Sequence, residues 1–290
     1  MQETSEKREH MRRRMLMQMG SAIPSADIVI LTGELTETSF TMTTADKSAF
    51  EYNYTDANGV SYTELGTSGT KYTLSTLPNS TIFINGLVST INAKTTAAAS
   101  NIVRVELNAY ENLTTVNFGN NAKLVNVSNF EKLNILKISA QSFAGCTNVQ
   151  LNDIPSSVNN IEGYCFQNCR NLQLKSLPSG LTIIGNFAFQ SCKSLQLKSL
   201  PSGLTSIGWG AFGGCNNISL TSLPSVLTSI GKEAFLGCTK ITDIKILNTT
   251  AMITSAASMF NAGTTIRVPN ALFSQYQADT NWSTYNLIGY

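Results

Sequence analysis

Histidine is nearly absent from this 290-residue sequence, whose one histidine is His10. Catalysis by a serine–histidine–aspartate or a cysteine–histidine arrangement needs an imidazole beside the nucleophile. We therefore expect neither arrangement in the body of the chain. No glycine-rich phosphate loop follows a strand-like segment. The sequence predicts a protein that is not an enzyme, with no catalytic residue, no metal site and no cofactor.

Charged residues are also scarce, at 13% of the chain, and the formal net charge is +2. The first 20 residues hold five basic and three acidic residues, and the remaining 15 of each sign cancel. Binding to nucleic acid needs clustered lysine and arginine. A neutral body therefore predicts no nucleic-acid partner.

Long hydrophobic runs are missing as well. No run approaches the roughly 18 apolar residues of a membrane-spanning helix, so no membrane span is predicted. The apolar stretch from Met15 to Met19 is interrupted by Gln18. It is shorter than the roughly 7–15 apolar residues of a secretory signal, and we recognise no such signal.

Residues 1–20 predict an amphipathic helix, which Thr4 or Ser5 caps and Gly20 ends. A methionine-rich face beside an arginine cluster is typical of a segment that docks into a partner. The same pattern also fits a membrane surface or a solvated leader. We interpret residues 1–26 as an assembly anchor with a linker. The anchor residues are Arg12, Arg13, Arg14, Met15, Leu16 and Met19.

Residues 27–100 change to a period of two, in short segments rich in threonine, tyrosine and phenylalanine. Such segments separated by turn residues predict a small β-sandwich domain. The predicted strands are 28–31, 39–43, 50–54, 61–65, 71–74 and 81–84, with a connector from residue 87. With Asp56-Ala-Asn-Gly59 in place of an Asp-Gly turn, the segment is similar to PKD-like β-domains. That resemblance implies a spacer or an adaptor.

A 23-residue pattern then repeats along the chain. The repeated positions are Ile138, Ile161, Ile184, Ile207 and Ile230; Phe143, Phe166, Phe189, Phe212 and Phe235; Cys146, Cys169, Cys192, Cys215 and Cys238; and Pro155, Pro178, Pro201 and Pro224. Self-similarity at this period is the signature of a solenoid, in which each unit buries its apolar face against its neighbours. We predict a mainly β solenoid over residues 101–264, with irregular coils at its start.

The Leu-x-Leu segment of each repeat is predicted to be its strand. Alternation places Leu172 and Leu174 inward and Gln173 and Lys175 outward. Pro178 then ends the strand, because proline has no N–H group to donate.

The cysteines are predicted to be free. Equivalent residues of stacked coils lie about 4.7–4.9 Å apart, whereas the Cβ atoms of a disulfide are about 3.8 Å apart. The five repeated cysteines therefore predict a row of buried thiols. Cys165 stands where later repeats have alanine, and we interpret it as a core substitution.

The repeats closely resemble the BspA-like leucine-rich repeats, whose consensus is Leu-Pro-x-x-Leu-Thr-x-Ile-Gly-x-x-Ala-Phe-x-x-Cys. The match is specific at Leu177–Cys192, Leu200–Cys215 and Leu223–Cys238, and Ile154–Cys169 differs by Glu162 in place of the first glycine. The resemblance implies a leucine-rich-repeat solenoid of the gut-bacterial or phage-associated surface type, with a role in adhesion.

Residues 265–290 look like the closing cap that is common in this family. The resemblance implies a last strand that ends at Pro269 and a helix that carries Leu272 and Tyr276. It also implies that Trp282 covers the final coil.

Two sets of outward side chains are candidate ligand-binding residues. The polar strip consists of Gln173, Lys175, Gln196, Lys198, Ser219 and Thr221, and the aromatic row consists of Tyr164, Phe187 and Trp209. Stacked repeats turn equivalent positions into continuous surfaces, and aromatic rings stack on sugars or anchor protein partners. A solvated sheet face and rings half-buried against the next coil explain the same residues without a ligand.

The sequence predicts a non-catalytic recognition or adhesion protein that binds a surface protein or a glycan through its solenoid. The alternative is a structural component of a larger assembly, such as a phage virion appendage of the tail- or head-fibre type, docked through residues 1–20. Both interpretations place the protein in an extracellular location or on the surface of a particle such as a virion.

A chain that starts at Ser21 separates these two interpretations. If residues 1–20 are an assembly anchor, we expect the shortened chain to lose an oligomer or a co-purifying partner that the full chain retains. The mass in solution of both proteins is the measurement. Two identical monomers would contradict the assembly interpretation.

Overall fold

The computed structural model describes the backbone of seven strands between residues 28 and 92, and both backbone and side chains of residues 90–92, 102–107, 113–254 and 256–290. The predicted leader helix and its linker lie outside the described residues. The same is true of the anchor residues Arg12, Arg13, Arg14, Met15, Leu16 and Met19. Their assignment stays a prediction.

Seven strands come first in the described chain. They are β1 Ile28–Thr32, β2 Glu37–Thr44, β3 Phe50–Thr55, β4 Ser61–Gly66, β5 Lys71–Ser75, β6 Thr81–Asn85 and β7 Val88–Asn92. The six predicted strands coincide with β1–β6. The segment expected to be a connector contains β7, because its β-branched residues Val88, Thr90 and Ile91 favour an extended chain.

Three further strands join these seven in two sheets. They are β8 Ile102–Leu107, β9 Thr115–Asn117 and β10 Asn126–Ser128. One sheet has the order β10-β8-β1-β6-β3-β4, and the other has the order β5-β2-β7-β9. β1 pairs antiparallel with β6 and β8, whereas β10 is parallel to β8 and β9 is parallel to β7. Each of the two sheets therefore contains both antiparallel and parallel strand pairs.

The 23-residue repeats form a parallel sheet at their isoleucines. Its strands are β11 Lys137–Ile138, β12 Asn160–Ile161, β13 Ile183–Ile184, β14 Ser206–Ile207 and β16 Ser229–Ile230. The register pairs each isoleucine with the one 23 residues later. This pairing confirms the predicted solenoid and its period.

The strand prediction for the Leu-x-Leu segments is wrong, although the direction of their side chains is confirmed. Leu172 and Leu174 are buried, and Gln173 and Lys175 are exposed. Consecutive segments share a single backbone hydrogen bond, such as the Gln196 N–H to the Leu174 carbonyl at 3.0 Å. The proline that ends each segment has no N–H group, so pairing cannot continue.

The same side of the later coils forms a parallel sheet. Its strands are β15 Ser222–Leu223, β17 Asp243–Ile246, β18 Thr265–Val268 and β19 Asn286–Gly289. β15 and β18 each end directly before a proline, Pro224 and Pro269. β17 is followed by Leu247, which stands where earlier repeats have proline.

The closing cap agrees in part with what the resemblance implied. A strand ends before Pro269 and Tyr276 lies on the helix, but Leu272 lies in the turn before the helix and one more strand, β19, follows. The 3-10 turn Asn270–Leu272 leads into helix α1, Phe273–Ala278. Trp282 is fully buried, and its indole Nε1 donates to the Ile253 carbonyl at 3.0 Å. The N–H of Ile253 donates to the Tyr276 hydroxyl at 3.0 Å. The cap thus covers the last coil with two buried rings whose polar atoms are satisfied.

Equivalent residues stack in rows through the core. The phenylalanine row consists of Phe143, Phe166, Phe189, Phe212, Phe235 and Phe260. Its successive ring centroids lie 5.0–5.4 Å apart, with interplanar angles of 2–13°. Each such pair contributes about 0.5–1.5 kcal/mol beyond the burial of its area. One continuous core therefore follows the axis of the solenoid.

Glycine follows the last three repeated isoleucines, Ile184, Ile207 and Ile230, and the closeness of the neighbouring coil requires it there. A Cβ atom on Gly185 would lie 2.6 Å from the Gly163 nitrogen and 2.8 Å from the Glu162 carbonyl carbon. Gly208 has the same relation to Asn186, one coil further on.

We expect Gly185→Ala to destabilise the protein by about 1–3 kcal/mol, since the new methyl group meets backbone atoms that cannot rotate away. Gly180→Ala in the same coil is the matched control, because its Cβ meets nothing within 4 Å. That control is expected to be neutral or slightly stabilising. Chemical denaturation measures both, and equal midpoints for the two variants would contradict the close-approach explanation.

Candidate functional site

The structure places the predicted polar strip on the outside of three consecutive coils. Gln173, Lys175, Gln196, Lys198 and Thr221 are exposed, and Ser219 is half-buried. The strip follows the Leu-x-Leu segments, whose leucines are buried beneath it. Four of its six residues meet in one shallow depression.

This depression has a volume of about 630 Å³ and is lined by Lys175, Gln196, Lys198, Asn217, Ser219 and Lys240. We name it the basic depression. Sequence reasoning missed Asn217 and Lys240, which occupy the second position after consecutive repeated cysteines. The 23-residue spacing between them was the available signal. Lys240 Nζ donates to Asn217 Oδ1 at 2.8 Å, and Asn217 Nδ2 donates to the Lys193 carbonyl at 2.8 Å.

The charge of this region differs from that of the whole chain. From residue 163 to residue 232 the sequence has no aspartate or glutamate but contains one arginine and four lysines. Within the described part of the chain, Lys175, Lys198 and Lys240 form no ion pair with a carboxylate. A body that is neutral in sum therefore carries a local positive surface.

The predicted aromatic row is a row of rings in contact. The ring centroids of Tyr164 and Phe187 lie 5.1 Å apart at an interplanar angle of 28°. Those of Phe187 and Trp209 lie 5.0 Å apart at 49°. Tyr164 is 38% exposed and Trp209 is 45% exposed, so the outer rings keep much of their surface in water.

Trp209 does not occupy the same repeat position as the other two rings. Tyr164 and Phe187 are five residues before their cysteines, where the backbone is left-handed with φ of 60° and 56°. In the next coil that position is Gly210, with φ of 57°. A Cβ atom on Gly210 would lie 2.6 Å from the Phe187 ring. The ring thus fills the space that glycine leaves open, and Trp209 continues the row from one residue earlier.

A cation follows the last ring of the row. Lys232, which is equivalent to Trp209 in the next coil, places its Nζ 5.7 Å from the centroid of the indole. It is also 3.5 Å from a carboxylate oxygen of Glu233. A cation–π contact at an exposed site is worth about 0.5–1 kcal/mol. The row therefore ends in a polar, charged rim.

The carboxylate of Glu162, two residues before Tyr164, is held by two hydrogen bonds. Lys137 Nζ lies 2.8 Å from Glu162 Oε1, and the Ala140 N–H donates to Glu162 Oε2 at 3.0 Å. The hydrogen bond from Lys137 lowers the pKa of Glu162. A general acid needs a raised pKa, so this carboxyl group has the opposite character.

The six cysteines are free and buried, as predicted. Each repeated thiol donates to the carbonyl of a phenylalanine in the preceding coil at 3.0–3.1 Å. Burial raises the pKa of Cys146 and of Cys215 to about 12. Cys165 is fully buried in the row that later repeats fill with alanine. These thiols are core groups, since a reactive cysteine needs a lowered pKa and access to solvent.

Among the described residues, no group of three or more histidine, cysteine, aspartate or glutamate side chains is placed to hold a metal ion. No helix in this part of the chain is both long and apolar enough to cross a membrane.

The stacked coils, the leucine rows and the parallel isoleucine strands define a leucine-rich-repeat solenoid. The sequence matches the BspA type leucine rich repeat region in six copies, over residues 34–172 and 136–267. The chain belongs to this family, whose solenoids are generally not enzymes. The first match begins within the segment assigned to a β-sandwich. The PKD-like resemblance of that segment finds no support and stays a prediction.

Two solved structures are similar to this chain. A leucine rich cell surface protein from Faecalibacterium prausnitzii has 17% identity and a TM-score of 0.48, with 86% of this chain and 72% of that protein covered. A leucine-rich repeat protein from Bacteroides ovatus has 20% identity and a TM-score of 0.33, with 69% of this chain and 63% of that protein covered. A comparison with curated proteins finds no match.

The buried thiols predict a loss of stability at alkaline pH. Their pKa is raised in the folded protein, so above a pH of about 9 the unfolded chain loses thiol protons that the folded chain keeps. We expect the free energy of unfolding to fall from pH 9 towards 12, by roughly 1.4 kcal/mol per pH unit for each such thiol. Denaturation at a series of pH values measures the slope.

Cys165→Ala is the matched control, because alanine fills the equivalent position in later repeats. It is expected to fold normally and to show a shallower slope. A thiol reagent should modify the native protein slowly and all six cysteines once it is unfolded. Rapid modification of the native protein would contradict the assignment of these cysteines to the core.

Proposed function

We propose that this chain is a non-catalytic recognition protein that binds a surface protein or a glycan through the side of its solenoid. Its place of action in this proposal is an extracellular or particle surface. The observation that carries it is the aromatic row, three rings in contact on the outside of three consecutive coils. Membership of a family of solenoids that are generally not enzymes supports the non-catalytic part.

The aromatic row has the properties of a contact surface. Its rings are held in fixed relation by their neighbours, so little side-chain entropy is lost when a ligand covers them. Tryptophan and tyrosine combine a large apolar area with a polar atom, and they are enriched among the residues that dominate binding energy. The polar rim of Lys232 and Glu233 beside Trp209 provides hydrogen-bonding groups for orientation.

Trp209→Ala tests this proposal. We expect the full chain to bind at least one member of a panel of purified surface proteins and surface glycans. The variant should bind that ligand about tenfold more weakly or worse, because an aromatic anchor residue contributes more than about 1.4 kcal/mol to such contacts. Binding is measured by surface-immobilised titration.

Leu136→Ala is the matched control, since Leu136 is an exposed apolar residue outside the aromatic row, with 65% of its surface in water. It should bind as the unmodified chain does. The proposal fails if no member of the panel binds, or if Trp209→Ala binds its ligand as tightly as Leu136→Ala does.

A further inference from the structure

The basic depression carries a second surface of different chemistry. Its lining consists of three lysines, two side-chain amides and one hydroxyl group. None of the aromatic-row residues contributes to it. It belongs to coils after Cys169, Cys192, Cys215 and Cys238, so it crosses four consecutive repeats.

The lysines of the depression line one surface and have no counter-ion among the described residues. Lys175 and Lys198 hold equivalent positions in adjacent coils, whose backbones lie about 4.7–4.9 Å apart. Like charges held side by side repel each other. In the described part of the chain these lysines have no carboxylate partner. An anion bound between them would relieve this repulsion.

The shape of the surface favours an extended ligand. Four coils cover roughly 14 Å along the solenoid axis at the spacing of paired strands. The positive groups recur along that direction, because stacking repeats the same position from coil to coil. A polymer that repeats an anionic group along its length can therefore meet several lysines at once.

The side chains that line the depression favour one class of polyanionic partner over the others. Protein partners dock through apolar and aromatic anchors, and single-stranded nucleic acid needs aromatic platforms for its bases. The depression has neither kind of residue. Its amides and hydroxyl, Gln196, Asn217 and Ser219, instead offer both donors and acceptors, which is what the hydroxyl groups of a sugar require.

An acidic boundary limits the surface on its amino-terminal side. Glu131 and Asp153 line a separate depression of about 330 Å³ together with Ser176 and Pro178. A polyanion is repelled from that position. The expected footprint is therefore confined to the lysine-bearing coils.

We propose that the basic depression binds an acidic polysaccharide, with Lys175, Lys198 and Lys240 pairing with its carboxylate groups and Gln196, Asn217 and Ser219 with its hydroxyl groups. This inference rests on the proposed recognition function, but it uses a different set of residues. It names the ligand class of this surface as a glycan that carries a carboxylate on its repeating sugars.

The test is calorimetric titration of the full chain with polygalacturonic acid, with neutral dextran and with single-stranded oligothymidylate. We expect binding of the polyuronate and none of dextran, and the affinity should fall with salt because exposed charges are screened. The double variant Lys175→Glu with Lys198→Glu should bind about tenfold more weakly. Lys132→Glu, an exposed lysine outside the depression, is the control and should change little.

The proposal is overturned if polygalacturonic acid binds no better than dextran. It is also overturned if Lys132→Glu weakens binding as much as the charge reversals at Lys175 and Lys198 do. Tighter binding of the oligothymidylate would identify a nucleic-acid surface instead. Trp209→Ala is titrated in parallel and should retain the polyuronate. If the polyuronate fails to bind while a ligand of the aromatic row still depends on Trp209, the recognition function stands and this inference does not.

Discussion

The register between coils is the constraint on which the rest of the structure depends. Parallel pairing at the isoleucines sets each residue beside its equivalent 23 positions away. The coils approach so closely there that Gly185 and Gly208 have no room for a Cβ atom. The constant step of 23 residues keeps the phenylalanines and cysteines of the regular repeats in their rows. The 25-residue step from Phe235 to Phe260 also keeps the ring row. Side-chain packing and backbone pairing therefore specify the same period.

Stacking in register has opposite consequences inside and outside the coils. Inside, it places phenylalanine on phenylalanine and satisfies each thiol with a carbonyl of the preceding coil. Outside, it places lysine near lysine, which costs free energy. A buried row is stabilised by its own repetition, whereas a charged exposed row is not. Folding therefore gives no reason for lysine at positions 175 and 198, and this supports the proposal that their surface binds a ligand.

The periodic features could be predicted from the sequence, and the departures from periodicity could not. The isoleucine, phenylalanine and cysteine rows and the burial of Trp282 follow from the repeat and from the resemblance. The strand position was missed because the leucine alternation is the stronger pattern, while pairing is decided by which N–H groups are free to donate. Lys240 was missed since it joins the depression from a different repeat position. The basic depression could not be predicted from the net charge of the chain, because acidic residues before and after this region cancel its lysines in the sum.

The residue five positions before each repeated cysteine has a left-handed backbone. It shows what the fold requires at this position and what it tolerates there. All five regular coils have positive φ there, so this conformation belongs to the repeat. Glycine adopts it without strain, and Gly210 shows that the coil closes with glycine. Tyr164 and Phe187 accept a strained backbone at the same position and direct their rings outward into contact. Gln141 and Glu233 adopt the same left-handed backbone, so this position accepts several kinds of residue. The contact between the rings of Tyr164 and Phe187 is therefore what supports the proposed recognition role of this row.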